Sequence, residues 1–173
     1  MDVMVDLETL GTTPGCVILS IGAVAFDRVA GTLGNEFYVN LDPDSCRGFG
    51  LSVNPQTVEW WARQSPEARA ALESDQLPLG LALAAFTGFF KLNGGRTIWG
   101  HGANFDPPVL EAAYRALGVT PPWKYWAVRD TRTLYELADV SPDRTEGVHH
   151  NALADAVSQA RAACLAFGKL LPA

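Results

Sequence analysis

A chain of 173 residues with 48% hydrophobic and 18% charged side chains has the composition of an ordinary globular domain, long enough to bury a sizeable core. No stretch approaches the ~20 apolar residues of a membrane span, Asp2, Asp6 and Glu8 interrupt any N-terminal signal pattern, and three cysteines without CxxC spacing argue against a disulfide framework or a zinc site. A formal net charge of −6 disfavours a long grip on duplex nucleic acid, while a small substrate or the end of a strand stays compatible. The expectation is one cytoplasmic domain spanning 1–173.

The first ten residues read as a strand. Val3, Val5 and Leu7 point to one side and Met4, Asp6 and Glu8 to the other. Gly11 to Gly15 is a turn by composition, and Val17 to Phe26 is an apolar run that reads as a strand covered on both faces. Asn35 to Leu41 predicts a third strand, completing an antiparallel meander. Asp42 to Val53 reads as loop. Asn54 then caps a helix with Pro55 at its first position, and Ser65 with Pro66 does the same for a second helix through Leu72. Leu79 to Leu92 is a third helix, ended by Asn93-Gly94-Gly95.

Thr97 to Trp99 predicts a fourth strand, and Pro107-Pro108 opens a helix running to Leu117. Trp123 to Val128 reads as a weaker fifth strand, followed by a helix over Thr131 to Ala138. Asn151 to Phe167 is the clearest helix, with Leu153, Ala156, Val157, Ala160, Cys164 and Phe167 on one stripe. Strands first, then helices alternating with strands, predict a mixed sheet with helices packed on it.

Four acids stand out against this frame. Asp6 and Glu8, at i and i+2 of one strand, are roughly 7 Å apart on one face. They are either bridged by hard divalent cations or form a strand end that faces water. Asp106 follows the fourth strand directly, which suits a functional acid and equally suits an N-cap before proline. Asp155 lies on the last helix, where a boundary residue facing water is the alternative. Five residues rotate an ideal helix by roughly 140°. His150 can therefore share a target with Asp155 only if it lies in the loop before an Asn151 cap.

Together, Asp6-x-Glu8, Phe105-Asp106 and His150-Asn151-Ala152-Leu153-Ala154-Asp155 resemble the three blocks of the DEDDh class of DnaQ-like 3′–5′ exonucleases, in order and in context. The resemblance extends to the phage exonuclease A and mycobacterial 3′–5′ exoribonuclease-like subgroup. It runs through Gln56-Thr57-Val58-Glu59-Trp60-Trp61, Gln64 to Arg69, Pro121-Pro122-Trp123-Lys124 and Arg129-Asp130, and so covers nearly the whole chain. Two positions depart from the pattern. Gly102 stands where the wider class has Asn, and His101 where the subgroup tends to have it, which bears on how the loop is held and how substrate is aligned.

The resemblance implies an α/β, ribonuclease H-like mixed five-stranded sheet flanked by helices. It implies that Asp6, Glu8, Asp106 and Asp155 hold two divalent cations, Mg²⁺ or Mn²⁺, ~3.5–4 Å apart. It makes His150 the base that takes a proton from the attacking water. Thr9 and Leu10 would contact the terminal nucleotide. Adjacent residues on a helix cannot face the same way, so one of Trp60 and Trp61 is expected in the core and one near the site, with Trp61 the candidate substrate contact.

The implied activity is metal-dependent 3′–5′ hydrolysis of single-stranded RNA or DNA from the 3′ end to nucleoside 5′-monophosphates. A non-catalytic nucleic-acid-end-binding module and a small-molecule nucleotide phosphoesterase are the alternatives. The resemblance also admits a homodimer, although no interface is marked in the sequence.

Overall fold

The computed structural model describes residues 1–143 and 151–171. Its sheet has five strands: β1 (Asp2–Thr9), β2 (Ile18–Asp27), β3 (Thr32–Asn40), β4 (Thr97–Gly100) and β5 (Val128–Asp130), in spatial order β3-β2-β1-β4-β5. The first three form the antiparallel meander that the sequence predicts, and β4 and β5 add to β1 in parallel. Strand β1 is therefore central, with an antiparallel partner on one side and a parallel partner on the other.

The helices are α1 (Pro43–Gly48), α2 (Pro55–Ala62), α3 (Pro66–Glu73), α4 (Leu79–Leu92), α5 (Asp106–Ala116), α6 (Thr131–Ala138) and α7 (Ala152–Leu170). The period-two pattern of β1 divides the core. Val3, Val5 and Leu7 pack with Phe86 of α4 and with Leu110 and Tyr114 of α5, whereas Met4 packs with Tyr135 of α6 and with Ala156, Ala160 and Ala163 of α7. Among the described residues no helix is long and apolar enough to cross a membrane.

Local signals hold where they are self-contained. Asn54 accepts from the Gln56 N–H at 2.8 Å, Ser65 from the Ala68 N–H at 3.1 Å, and Asn151 from the Ala154 N–H at 3.0 Å. The segment expected to be loop contains α1. Asp42 caps it, Pro43 occupies its first turn, and Cys46 is buried beneath it. This is the same Asx-Pro signal that marks α2, carried by a shorter helix.

The expected strand over 123–128 is also corrected. A 3₁₀ turn occupies Tyr125–Ala127, and β5 begins only at Val128. Trp123 leaves the sheet plane and packs edge-on against Phe86 and Tyr114, with centroids 6.2 and 5.6 Å away. The buried stripe of α7 is likewise rotated from the expected one. Ala152, Ala156, Gln159, Ala160, Ala163 and Ala166 are buried, while Leu153, Val157, Cys164 and Phe167 flank them. Small side chains beneath the helix let its axis approach the sheet closely.

Candidate active site

Asp6 and Glu8 share the face of β1 that looks toward α7, and their partners on β2 are Gly22 and Ser20. Residues paired across an antiparallel ladder point the same way, so Gly22 lies beside Asp6 under the start of α7. A Cβ at Gly22 would stand 2.1 Å from the Ala152 carbonyl carbon and 2.2 Å from the Leu153 nitrogen. Only glycine lets the first turn of α7 rest directly on β2. That seat carries Asp155, in the same first turn, to the strand acids. Asp6, Glu8 and Asp155 each offer a ligand oxygen, and these atoms lie within 4.8 Å of one another.

Asp106 reaches the same region from β4 and α5, and it does not serve as the helix cap. The cap residue is Phe105, which makes no side-chain cap bond. The Asp106 carboxylate instead accepts from the Leu7 N–H at 3.3 Å and from the His101 N–H at 3.0 Å. Gly100 makes this possible, because a Cβ there would fall 2.6 Å from Pro107 Cδ and 3.0 Å from Asp106 Oδ2. The loop is fastened by His101 itself. Its Nδ1 lies 2.9 Å from Thr131 Oγ1, and that hydroxyl donates to the Gly100 carbonyl at 3.1 Å. With the hydroxyl proton committed, Nδ1 is the donor in this pair.

Crowding and burial set the electrostatics. Asp106 is 2% exposed and Glu8 8%. Burial raises the Asp6 carboxyl well above the usual carboxylate range; Asp106, Glu8 and Asp155 raise it further, against a 2.7 Å hydrogen bond from Gln159 Nε2. Glu8 is pushed to about 8, by burial first and then by Asp155 and Asp106. Asp106 is pushed to about 7 by burial, opposed by its two backbone hydrogen bonds and by the Arg132 charge.

Buried acids of one sign destabilise one another unless a cation joins them. An all-oxygen carboxylate cluster of this kind fits a hard divalent cation and does not resemble a thiolate or imidazole zinc set.

Beside Glu8 opens a cavity of about 410 Å³, lined by Leu7, Thr9, Thr12, Thr57, Trp60, Trp61 and Phe105 among others. The β1–β2 register slips between Glu8 and Thr9, a bulge of the kind that re-aims side chains next to sites. Thr9 Oγ1 donates to the Gly11 carbonyl at 2.6 Å, and the Thr9 carbonyl accepts from Trp61 Nε1 at 2.9 Å. Trp61 is 6% exposed and belongs to the core, so its polar edge holds the site strand in place; Trp60 is 41% exposed at the cavity. Their rings meet edge-on with centroids 5.0 Å apart. Leu10 is half-buried and packs against the core next to this wall. His150 and its neighbour His149 lie outside the described residues.

The sequence reading did not single out Gln159, Gly22 or Gly100. Gln159 is four residues beyond Asp155, hence on the same helix face, and Gly22 interrupts an apolar strand, where glycine marks a close approach.

Three comparisons bear on this arrangement. The model of the family described as "3'-5' exoribonuclease Rv2179c-like domain" matches residues 1–166. An exodeoxyribonuclease of Enterobacteria phage T4 is 28% identical over 174 residues, covering 83% of this chain and 74% of the phage protein. Among solved structures, the nuclease domain of 3'hExo, a DEDDh family member bound to rAMP, superposes with a TM-score of 0.59 at 14% identity, covering 94% of this chain and 88% of that one. A second structure, of 3'-end recognition of a histone mRNA stem-loop by a 3'-exonuclease, gives a TM-score of 0.59 at 13% identity, with 94% and 80% covered. The fold is ribonuclease H-like, and the chain belongs to the 3'-5' exoribonuclease Rv2179c-like domain family.

Proposed function

We propose that this nuclease is a metal-dependent 3′–5′ exonuclease that shortens single-stranded nucleic acid one nucleoside 5′-monophosphate at a time. The observation that carries the reading is the convergence of ligand oxygens from Asp6, Glu8 and Asp155 within 4.8 Å, with Glu8 also lining a cavity of nucleotide size. Asp6, Glu8, Asp106 and Asp155 would hold two Mg²⁺ or Mn²⁺ ions. Such ions, when bound, stabilise the negative charge that develops as the phosphodiester is cleaved.

The remaining roles belong to the chain. Gln159 orients Asp6, and the Leu7 and His101 amides orient Asp106, so the acids are set before substrate arrives. The terminal nucleotide would enter the cavity beside Glu8, its base against the exposed Trp60 ring and Leu10, its sugar along the Thr9 backbone that Trp61 fixes. A cavity of this size, with Phe105 in its wall, would admit a strand end more readily than the middle of a duplex. His150 would accept the proton of the attacking water, the role its motif position implies.

The family model and the relative are named for different sugars, an exoribonuclease domain on one side and an exodeoxyribonuclease on the other. The test therefore uses matched RNA and DNA oligomers, labelled at the 5′ end, with Mg²⁺, with Mn²⁺ and with excess chelator. Stepwise loss from the 3′ end with release of 5′-monophosphates, abolished by chelator, is expected. Internal cuts, or full activity in chelator, would overturn the reading.

A further inference from the structure

Arg132 occupies an unusual place. It lies in the first turn of α6, where the helix dipole disfavours a cation. A guanidinium only donates and so cannot cap the helix N–H groups, which Asp130 already takes, accepting from Arg132 N at 3.1 Å and from Thr133 N at 3.3 Å. Arg132 is exposed and takes part in none of the salt bridges among the described residues. Local structure gives no reason for an arginine here.

The tertiary structure does. The pairing of Gly100 with Asp130 sets the start of α6 beside the end of β4, and Thr131 locks it there through the Gly100 carbonyl and His101. The guanidinium thereby comes to lie over Gly102. A Cβ at Gly102 would stand 3.7 Å from Arg132 Cζ and 3.9 Å from Nε. Gly102 has φ +134, a conformation that keeps the position for glycine. At Gly102 the loop therefore presents open backbone with the arginine above it.

We infer that Arg132 forms a backbone-phosphate site, its guanidinium receiving a phosphodiester phosphate of the single strand whose 3′ end lies against Asp6, Glu8 and Asp106. The inference rests on the nuclease reading and adds the group that steers a polyanion toward an acidic site. A planar fork of donors suits a phosphate better than any other side chain in the loop. It also brings positive charge to the acidic cluster in a chain of net charge −6.

The experiment compares the wild-type protein with Arg132→Ala, Arg132→Gln and Arg132→Lys. Turnover of a single-stranded oligomer is measured in Mn²⁺ across a salt series, binding of the same labelled oligomer by anisotropy in Ca²⁺, and stability by thermal melting. Arg132→Ala and Arg132→Gln should raise KM and the dissociation constant by about tenfold or more, the scale of one charged hydrogen-bonded contact. Their kcat should stay within about threefold, and the log–log salt slope should flatten by about 0.7, one single-strand phosphate contact. Melting should hold or rise, because the cation leaves the positive end of α6, and Arg132→Lys should recover the salt slope and part of the KM.

Unchanged KM and slope in well-folded Arg132→Ala overturn the site. So does a lower melting temperature with losses that Lys fails to recover, which marks a structural role. If the wild type binds the oligomer without cleaving it and Arg132→Ala does not bind, the phosphate site stands and the nuclease reading falls. If the wild type neither binds nor cleaves, both fall.

Discussion

Gln159 Nε2 donates to Asp6 Oδ1 across 2.7 Å, joining the last helix to the first strand at the centre of the acid cluster. It is the hydrogen bond that works against the repulsion Asp6 receives from Glu8, Asp106 and Asp155. Gln159→Leu keeps the volume and removes the donor. Supporting contacts of this kind typically carry 10–100-fold in metal affinity or activity. Divalent-ion affinity, read by titration calorimetry, should fall by about tenfold or more in Gln159→Leu while the far-UV spectrum is unchanged.

The raised acids tie stability to pH. In the unfolded chain Glu8 and Asp106 titrate near their ordinary values of 4.5 and 3.8, whereas in the fold they titrate near 8 and 7. Their folded-state pKa values are the higher ones, so the native state binds more protons through this window and its stability declines as pH rises. The melting temperature of chelator-treated protein should therefore fall between about pH 4.5 and pH 8. Mg²⁺ or Mn²⁺ should raise it most at the alkaline end, where the acids are ionised and able to bind. A chelated protein that melts higher at pH 8 than at pH 5 would contradict the burial and crowding described here.

Asp106→Asn isolates one member of the set. The amide cannot ionise, yet its oxygen still accepts from Leu7 or His101. Activity should drop by about a hundredfold or more, and the metal-free protein should melt at or above the wild-type temperature near pH 8. Parallel activity and melting curves on the purified variant test both halves.

Gly22→Ala asks whether the seat of α7 matters. The new methyl would have to share space with the Ala152 backbone at 2.1 Å, so the helix must lift. Overpacking of this severity is expected to cost about 3 kcal/mol or more. Because the displaced turn carries Asp155, divalent-ion stabilisation should weaken along with the fold. Urea unfolding with and without Mn²⁺ reads both effects.

His150→Ala and His149→Ala separate neighbouring residues of the third block. If His150 is the base, its loss should slow turnover by about 10²–10⁴-fold with divalent-ion stabilisation retained. Loss of His149 should change the rate by less than about tenfold. The reverse order would mean that the motif is shifted by one residue.

The sequence by itself determined whatever depends on neighbours along the chain. Side chains alternate on a strand by covalent geometry, so Val3, Val5 and Leu7 had to part from Met4, Asp6 and Glu8. Asn54, Ser65 and Asn151 cap their helices because the groups they satisfy are two or three residues away. The family resemblance was legible because the order and local context of Asp6-x-Glu8, Phe105-Asp106 and the block ending at Asp155 survive in one dimension.

Tertiary structure alone decided where the lone pairs and faces went. Asp106, a plausible cap by local rules, turns to the Leu7 amide 99 positions away, and Gln159 finds Asp6 across 153. Trp60 and Trp61 could be told apart only once Thr9 claimed the Trp61 indole N–H. The stretch 123–128 looked extended until the space beside Phe86 and Tyr114 drew Trp123 into the core. In each case the outcome depends on how closely one element approaches another. Gly22 and Gly100 permit those approaches through side chains they lack, and a partner that far along the chain leaves no local mark.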